Sequence, residues 1–171
     1  MSHQTILVLD FGSQYTQLIA RRLRELSIYS EILAPNTPAA EIGRRRPAGI
    51  ILSGGPKSVS DPGAPRCDPS MFDLGLPVLG ICYGMQLMAD TLGGRVAPAA
   101  QREFGHATVS ISGHAAGAAL FAGVPDAIRV WASHGDCVAE APPGFAVAAT
   151  SANAPVAAMV DLTRGLYALL F

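Results

Sequence analysis

The sequence has little charge and no long apolar run. Of its 171 residues 15% are charged, and the formal net charge is −1 at pH 7. Such a balance is atypical of nucleic-acid-binding proteins, which need a basic face. A helix that crosses a bilayer needs about 20 consecutive apolar residues, and no segment approaches that length. Because half of the residues are hydrophobic, the composition predicts one globular domain without a nucleic-acid or membrane partner.

Cysteine is also scarce. There are three, Cys67, Cys82 and Cys137, and they are widely spaced, with no Cys-x-x-Cys pair. This arrangement predicts neither a disulfide framework nor a zinc site, and we expect no bound metal. Residues 1–4 lack the basic region and apolar stretch of a secretory signal. We therefore expect a protein of the reducing cytoplasm in which Cys67 and Cys137 are structural or incidental.

Cys82 differs from the other two because it lies in a Gly-x-Cys-x-Gly segment. The apolar run 78–81 precedes it, and Gly80 and Gly84 flank it two residues away on either side. This spacing is typical of a nucleophile elbow, a strand-to-helix turn with no room for side chains at the flanking positions. A helix N-terminus offers free N–H groups and a positive dipole end, so we expect a lowered thiol pKa. The segment predicts a nucleophilic cysteine.

Apolar runs alternate with amphipathic segments in the first half of the chain. Strands are predicted over 5–10, 28–33, 48–52 and 78–81, and helices over 14–26, over 41–45 and after Cys82. Ser13 is predicted to cap the first helix. Strands and helices that alternate with short connections predict an α/β fold with an open, mostly parallel, right-handed sheet.

The second half is richer in strands. They are predicted over 108–112, 128–132, 145–149, 156–160 and 165–171. Polar and apolar residues alternate in the first of these, which is typical of an antiparallel strand with one exposed face. We expect these strands to extend or flank the parallel sheet within the same domain.

A Ser53-Gly54-Gly55-Pro56 turn follows the third predicted strand. Ligands of open α/β sheets bind at the carboxyl ends of the strands, where such glycines leave backbone N–H groups accessible. A phosphate cradle is one interpretation, although the spacing matches neither the P-loop nor the dinucleotide fingerprint. An oxyanion hole is the better interpretation, because the next strand leads to Cys82.

Five segments carry a resemblance to a known family; they are residues 6–15, 53–56, 80–86, 102–105 and 131–136. Together they resemble the class I glutamine amidotransferases, and among these the amidotransferase domains of the GMP synthase family. The resemblance covers essentially the whole chain. It implies a flavodoxin-like α/β fold.

The resemblance also implies a reaction and a site. The Cys82 thiolate would attack the side-chain amide of glutamine, release ammonia and leave a γ-glutamyl thioester that water hydrolyses. Backbone N–H groups of Gly55 and Tyr83 would stabilise the oxyanion. The substrate-binding residues would be Gly54, Gln86, Ser133, His134, Gly135 and Asp136.

The implied partner is an ATP pyrophosphatase (synthetase) domain or subunit. That partner would use Mg-ATP to adenylate xanthosine monophosphate and would aminate it to GMP. The amidotransferase domain itself would need no cofactor. Residues 102–106 are a candidate contact with the partner.

One part of the family pattern is missing from the 171 residues. In the family a His-x-Glu motif follows the last strand and completes the catalytic triad, whereas this sequence stops at Phe171. We therefore expect the chain alone to be nearly inactive. His134 and His106 are the candidates for a substitute base, and His3 and His114 are expected to lie in loops away from the site.

Two alternatives stay open. The chain is either a glutaminase or a non-catalytic, glutamine-binding regulatory or assembly module. If it is a glutaminase, it serves either GMP synthesis or another pathway, such as anthranilate or carbamoyl phosphate synthesis. Retention of Cys82 favours the enzyme.

Overall fold

The computed structural model describes residues 4–171, without the side chains of residues 100–103. The segment 1–3, which includes His3, and the side chain of Arg102 therefore lie outside it. The helices are α1 (Thr16–Glu25), α2 (Ala39–Arg44), α3 (Tyr83–Thr91) and α4 (Ala115–Phe121), with a 3-10 helix at Pro69–Asp73. The strands are β1 (Thr5–Leu9), β2 (Tyr29–Leu33), β3 (Gly49–Leu52), β4 (Val78–Ile81), β5 (Arg95–Ile111), β6 (Ala127–Glu140), β7 (Ala146–Ser151), β8 (Ala158–Asp161) and β9 (Leu166–Leu169). Across residues 4–171, none of the helices is long and apolar enough to cross a membrane.

All these strands form one sheet, in the order β2-β1-β3-β4-β9-β8-β7-β5-β6. Strands β2, β1, β3, β4 and β9 pair in parallel. This is the flavodoxin-like strand order, with β9 as the fifth strand. The remaining four strands continue the sheet in antiparallel pairing. The predicted fold class is therefore confirmed.

The burial of the strands explains their sequence patterns. In β1, Leu7, Val8 and Leu9 are all 0% exposed, as expected for a central strand covered on both faces. In the β5–β6 pair, by contrast, buried Val109 and Ala132 alternate with exposed residues on the opposite face. Helix α1 packs against β1 and β2, and α3 packs against β3, β4 and β9.

The structure differs from the prediction in its second half. Strands β5 and β6 have 17 and 14 residues, far more than the segments 108–112 and 128–132. Their register runs from Arg95 opposite Glu140 to Ser110 opposite Ala127, with irregularities. Hydrogen bonds between backbone N–H and C=O groups extend these strands regardless of side-chain type. The alternation of polar and apolar residues therefore revealed only part of each strand. Helix α4 was not predicted, because its Ala- and Gly-rich sequence has no apolar periodicity.

The prediction for the start of α1 was wrong. The N-cap is Tyr15, and Ser13 Oγ instead accepts a hydrogen bond from the Tyr15 N–H at 3.0 Å. The Asp10 carboxylate at the end of β1 accepts from Gly12 N at 2.9 Å and from Thr16 Oγ1 at 2.8 Å. Asp10 therefore fixes the β1–α1 loop, and the helix begins later than the serine suggested.

Candidate active site

Cys82 lies on a strained turn between β4 and α3. Its backbone has φ 49° and ψ −108°, a conformation that side-chain-bearing residues rarely adopt. The turn is held by hydrogen bonds from Gly84 N to Ser53 O and from Gln86 N to Cys82 O, both 3.1 Å long. This geometry is the predicted nucleophile elbow.

The glycines on either side of Cys82 are required by close contacts. A Cβ atom on Gly80 would lie 2.7 Å from Gly84 O. A Cβ atom on Gly84 would lie 2.4 Å from Leu52 O, at the end of β3. Both distances are shorter than van der Waals contact, so Gly80 is required by the packing of β4 against α3, and Gly84 by the packing of α3 against β3.

Strand β9 contacts the thiol from the other side. Cys82 N donates to Leu169 O at 2.9 Å, and Cys82 Sγ donates to Leu170 O at 3.2 Å. Burial raises the pKa of the thiol from its ordinary 9.0 to about 11. The sequence prediction of a lowered pKa is therefore wrong for this structure, because desolvation of the thiolate outweighs the helix N-terminus. At neutral pH the thiol is protonated, so a nucleophilic role would need a base to take its proton.

The predicted oxyanion loop packs directly against the elbow. Ser53 Oγ accepts a hydrogen bond from Phe11 N at 3.0 Å and so joins this loop to the end of β1. A Cβ atom on Gly55 would lie 2.6 Å from Phe11 O, so only glycine fits there. Within residues 4–171 the backbone N–H groups of Gly55 and Tyr83 donate to no acceptor. These two donors therefore remain available to a ligand beside Cys82.

Cys82 opens into a cleft of about 420 Å³. The sequence-predicted residues that line it are Cys82, Gly55, Tyr83, Gln86, Ser133, His134, Gly135 and Asp136. Gly54 lines a neighbouring cleft of about 430 Å³, which shares Gly55, Cys82 and Ser133 with the first. The fold therefore brings the ends of β1, β3 and β4 together with β6 around one thiol.

Gln86 connects helix α3 to β6. It is 5% exposed, and its Nε2 donates to Asp136 O at 3.0 Å. The side chain therefore orients the 133–136 segment as well as lining the cleft.

The histidines occupy different environments. His134 is 7% exposed and lines the cleft. His106 lies on the exposed face of β5, where its ring meets Trp131 edge-on with a 5.2 Å centroid distance. His114 is the N-cap of α4. Neither His106 nor His114 lines the cleft that contains Cys82.

Sequence reasoning missed several lining residues, namely Pro56, Lys57, Ser58, Asp61 and Phe104. The residues after the Gly-Gly-Pro turn were close enough in sequence to be found. The Asp61 carboxylate folds this segment back by accepting from Ser58 N at 2.9 Å. Phe104 gave no local signal, because only the pairing of β5 with β6 brings it to the cleft. Among the described side chains, no group of three or more His, Cys, Asp or Glu residues is arranged to hold a metal ion.

Comparison with known sequences places these features in a family. The sequence model of the family described as glutamine amidotransferase class-I matches residues 7–171. The glutamine-hydrolysing GMP synthase of Syntrophomonas wolfei is 52% identical over 171 residues, which are 100% of this chain and 33% of that protein. The enzyme of the same name from Lactiplantibacillus plantarum is 55% identical over 171 residues, which are 99% of this chain and 33% of that protein. The chain thus spans about a third of the length of these curated relatives.

Solved structures give a consistent result. A Thermoplasma acidophilum protein, provisionally assigned to GMP synthase, superposes with a TM-score of 0.84 at 31% identity, covering 100% of this chain and 84% of that one. A glutamine amidotransferase from Thermotoga maritima superposes with a TM-score of 0.74 at 22% identity, covering 100% and 76%. The second likeness shows the fold alone.

Proposed function

Because the chain belongs to the class I glutamine amidotransferase family, we propose that it is the glutaminase part of a GMP synthase. The observation that carries the proposal is the position of Cys82, on a strained elbow in a cleft also lined by Gly55 and Tyr83, whose backbone N–H groups have no acceptor within residues 4–171. A nucleophile beside two such donors suits acyl transfer from an amide.

In the proposed reaction the sulfur of Cys82 forms a bond to the side-chain carbonyl carbon of glutamine, and the carbonyl oxygen becomes an oxyanion. The N–H groups of Gly55 and Tyr83 stabilise that charge. The thiol proton passes to a base and then to the departing nitrogen, so the C–N bond breaks and ammonia leaves. Water hydrolyses the γ-glutamyl thioester to glutamate and restores the thiol.

The base is expected next to the end of β9. The thiol already donates to Leu170 O, so residues that follow β9 lie beside the sulfur. The family resemblance implies a His-x-Glu motif at that point. A base at this position would offset the raised pKa of Cys82 by taking its proton as the bond forms.

Ammonia release at two pH values tests this proposal. Glutamine is incubated with the 171-residue chain and with a Cys82→Ala control at pH 7 and at pH 10, with folding checked by circular dichroism. We expect near-background release at pH 7, where the thiol is protonated, and a Cys82-dependent increase at pH 10, where more thiolate forms. Clear Cys82-dependent turnover at pH 7 would contradict the expectation, and His134 and His106 would then be mutated. Glutamine binding without Cys82-dependent release at either pH would favour the non-catalytic binding module.

The proposed product, ammonia, requires an acceptor. The curated relatives are named GMP synthases and are about three times as long as this chain. We propose that the acceptor is xanthosine monophosphate, activated with Mg-ATP on a synthetase domain or subunit, and that no cofactor is needed at Cys82. We propose a cytoplasmic location for this reaction; within residues 4–171 the three cysteines form no disulfide.

The surface beside the cleft is suited to contact that synthetase. Phe104 and Trp131 are 70% and 64% exposed, and the register of β5 and β6 puts them on one face with His106. Phe104 also lines the cleft, so this aromatic patch (Phe104, His106 and Trp131) continues from the mouth of the site. Large exposed aromatics are typical of protein interfaces. The sequence pointed to the same segment through residues 102–106, although the side chain of Arg102 lies outside the described residues.

A further inference from the structure

Lysine is almost absent from this protein. The chain has 12 Lys and Arg residues, and Lys57 is its single lysine. Lys57 follows the Gly-Gly-Pro turn and lines the same cleft as Cys82. The proposed reaction at Cys82 gives Lys57 no role.

The charges around the cleft are arranged in two groups. Asp136 belongs to β6, and Lys57 and Asp61 belong to the segment that follows β3. Asp61 has a structural role, because its carboxylate accepts from the Ser58 N–H and holds the turn that carries Lys57. Among the described side chains, Lys57 makes no ion pair, whereas Arg45, Arg66 and Arg164 each pair with a carboxylate. The ammonium group of Lys57 is therefore available to a ligand.

A free amino acid carries a negative and a positive group on one carbon. A cleft that recognises it therefore needs a cation for the carboxylate and an anion for the ammonium group. Asp136 supplies the anion, and Lys57 supplies the cation within the described lining. We propose that Lys57 binds the α-carboxylate of the glutamine substrate and selects the free amino acid over glutamine with a blocked carboxyl group. This inference rests on the proposed function.

The test measures equilibrium binding in a Cys82→Ala background, so that no ligand is consumed. Isothermal titration compares L-glutamine with L-glutamine α-amide, which keeps the side chain but lacks the carboxylate. We expect Lys57→Met to weaken binding of L-glutamine about fivefold, the upper range for an exposed ion pair, and to leave the α-amide unchanged. Lys57→Arg should restore most of the difference. Added salt should weaken the binding of L-glutamine to the Cys82→Ala parent but not to the Lys57→Met variant.

Matched controls separate charge from folding. Arg44→Met removes one exposed positive charge from α2, outside the cleft, and should bind L-glutamine like the parent. Unchanged binding of L-glutamine by Lys57→Met, or an equal loss for both ligands, would overturn the role of Lys57 while leaving the proposed function intact. No binding of either ligand by the parent would overturn both. Normal binding by Lys57→Met with lost synthetase contact would assign Lys57 to docking.

The single lysine allows a second, independent measurement. An acylating reagent that targets amines should modify Lys57 and the α-amino group, and mass spectrometry can follow both. We expect L-glutamine to slow modification of Lys57 several-fold and to leave the α-amino group, an internal standard, unaffected. Equal rates with and without L-glutamine would contradict contact between Lys57 and the ligand.

Discussion

At the scale of single residues, the geometry of the elbow restricts which side chains fit at positions 80, 82 and 84. Cys82 adopts φ 49°, and its two flanking glycines lie against backbone atoms of α3 and β3. Strain of this kind persists only where the surroundings hold it in place. The hydrogen bonds of Gly84 N and Cys82 N to β3 and β9 provide that support.

The first residue-scale prediction concerns Gly84→Ala. Alanine is favoured over glycine in a helix by about 1 kcal/mol, which by itself predicts stabilisation. The new Cβ would lie 2.4 Å from Leu52 O, and overpacking of this severity costs about 3 kcal/mol. We therefore expect a net loss of about 2 kcal/mol in the free energy of unfolding, measured with urea.

The matched control is Gly113→Ala. A Cβ atom at Gly113 meets nothing within 4 Å, so the change should stay within about 0.5 kcal/mol. Equal stabilities for the two variants would contradict the packing argument.

The second residue-scale prediction concerns the reactivity of the thiol. Because burial raises the pKa of Cys82 to about 11, its thiolate fraction should rise about tenfold per pH unit up to that value. Iodoacetamide should therefore alkylate Cys82 slowly at pH 7 and progressively faster up to pH 11. Peptide mapping, with Cys82→Ala as the control, measures this rate. A plateau reached near pH 7 would instead support the lowered pKa that the sequence suggested.

At the scale of secondary-structure elements, the site depends on how α3 meets β6. Helix α3 follows β4 in the chain, whereas β6 lies at the far edge of the sheet. The hydrogen bond from Gln86 Nε2 to Asp136 O joins the two. The buried side chain of Gln86 thus fixes the 133–136 segment, which is proposed to bind substrate, relative to the elbow.

Gln86→Leu tests this connection. The substitution leaves Asp136 O without its donor, so we expect a loss of about 1 kcal/mol in stability and weaker glutamine binding. Urea denaturation and isothermal titration measure the two effects. Gln17→Leu, on an exposed position of α1, should change neither. Full glutamine affinity in Gln86→Leu would remove Gln86 from the binding site.

At the scale of the whole molecule, one sheet unites two kinds of pairing. The parallel half carries Cys82 and the 53–56 loop, and the antiparallel half supplies the 133–136 segment and the aromatic patch. Strand β9 lies at the junction, between β4 and β8, and Leu170, the residue that follows it, accepts the hydrogen bond of the thiol. The proposed glutaminase site therefore exists only when both halves are joined.

Docking of the synthetase gives a prediction at this scale. Trp131 is the chain's only tryptophan and is 64% exposed, so its fluorescence should report contact with the aromatic patch. We expect its emission to shift to shorter wavelength when the synthetase part of a GMP synthase is added. Phe104→Ser should weaken that association and leave the stability of the isolated chain nearly unchanged.

Leu162→Ser is the control for the docking experiment. Leu162 is 51% exposed and lies after β8, outside the patch and the cleft. It should leave association unchanged. Equal effects of the two substitutions would place the synthetase contact elsewhere on the molecule.

The parallel half of the fold and the strand-to-helix turn at Cys82 were predictable from the sequence, and the nucleophilic role of Cys82 stays a prediction. They are specified by short stretches of sequence, namely apolar runs, helical periodicity and the two glycines around Cys82. The lengths of β5 and β6 and the existence of α4 were not predictable in this way. They depend on backbone pairing between distant segments and on the packing of small residues. Neither produces a periodic pattern of apolar residues in the sequence.

The pKa of Cys82 and the set of residues that line the cleft could be found only from the folded structure. The pKa of Cys82 depends on burial by strands distant in sequence, so the elbow motif predicted the wrong direction. Phe104 and Asp136 reach the cleft only through the pairing of β5 with β6 and the contact of Gln86. Desolvation and long-range contact are properties of the folded chain, and no local stretch of sequence specifies them.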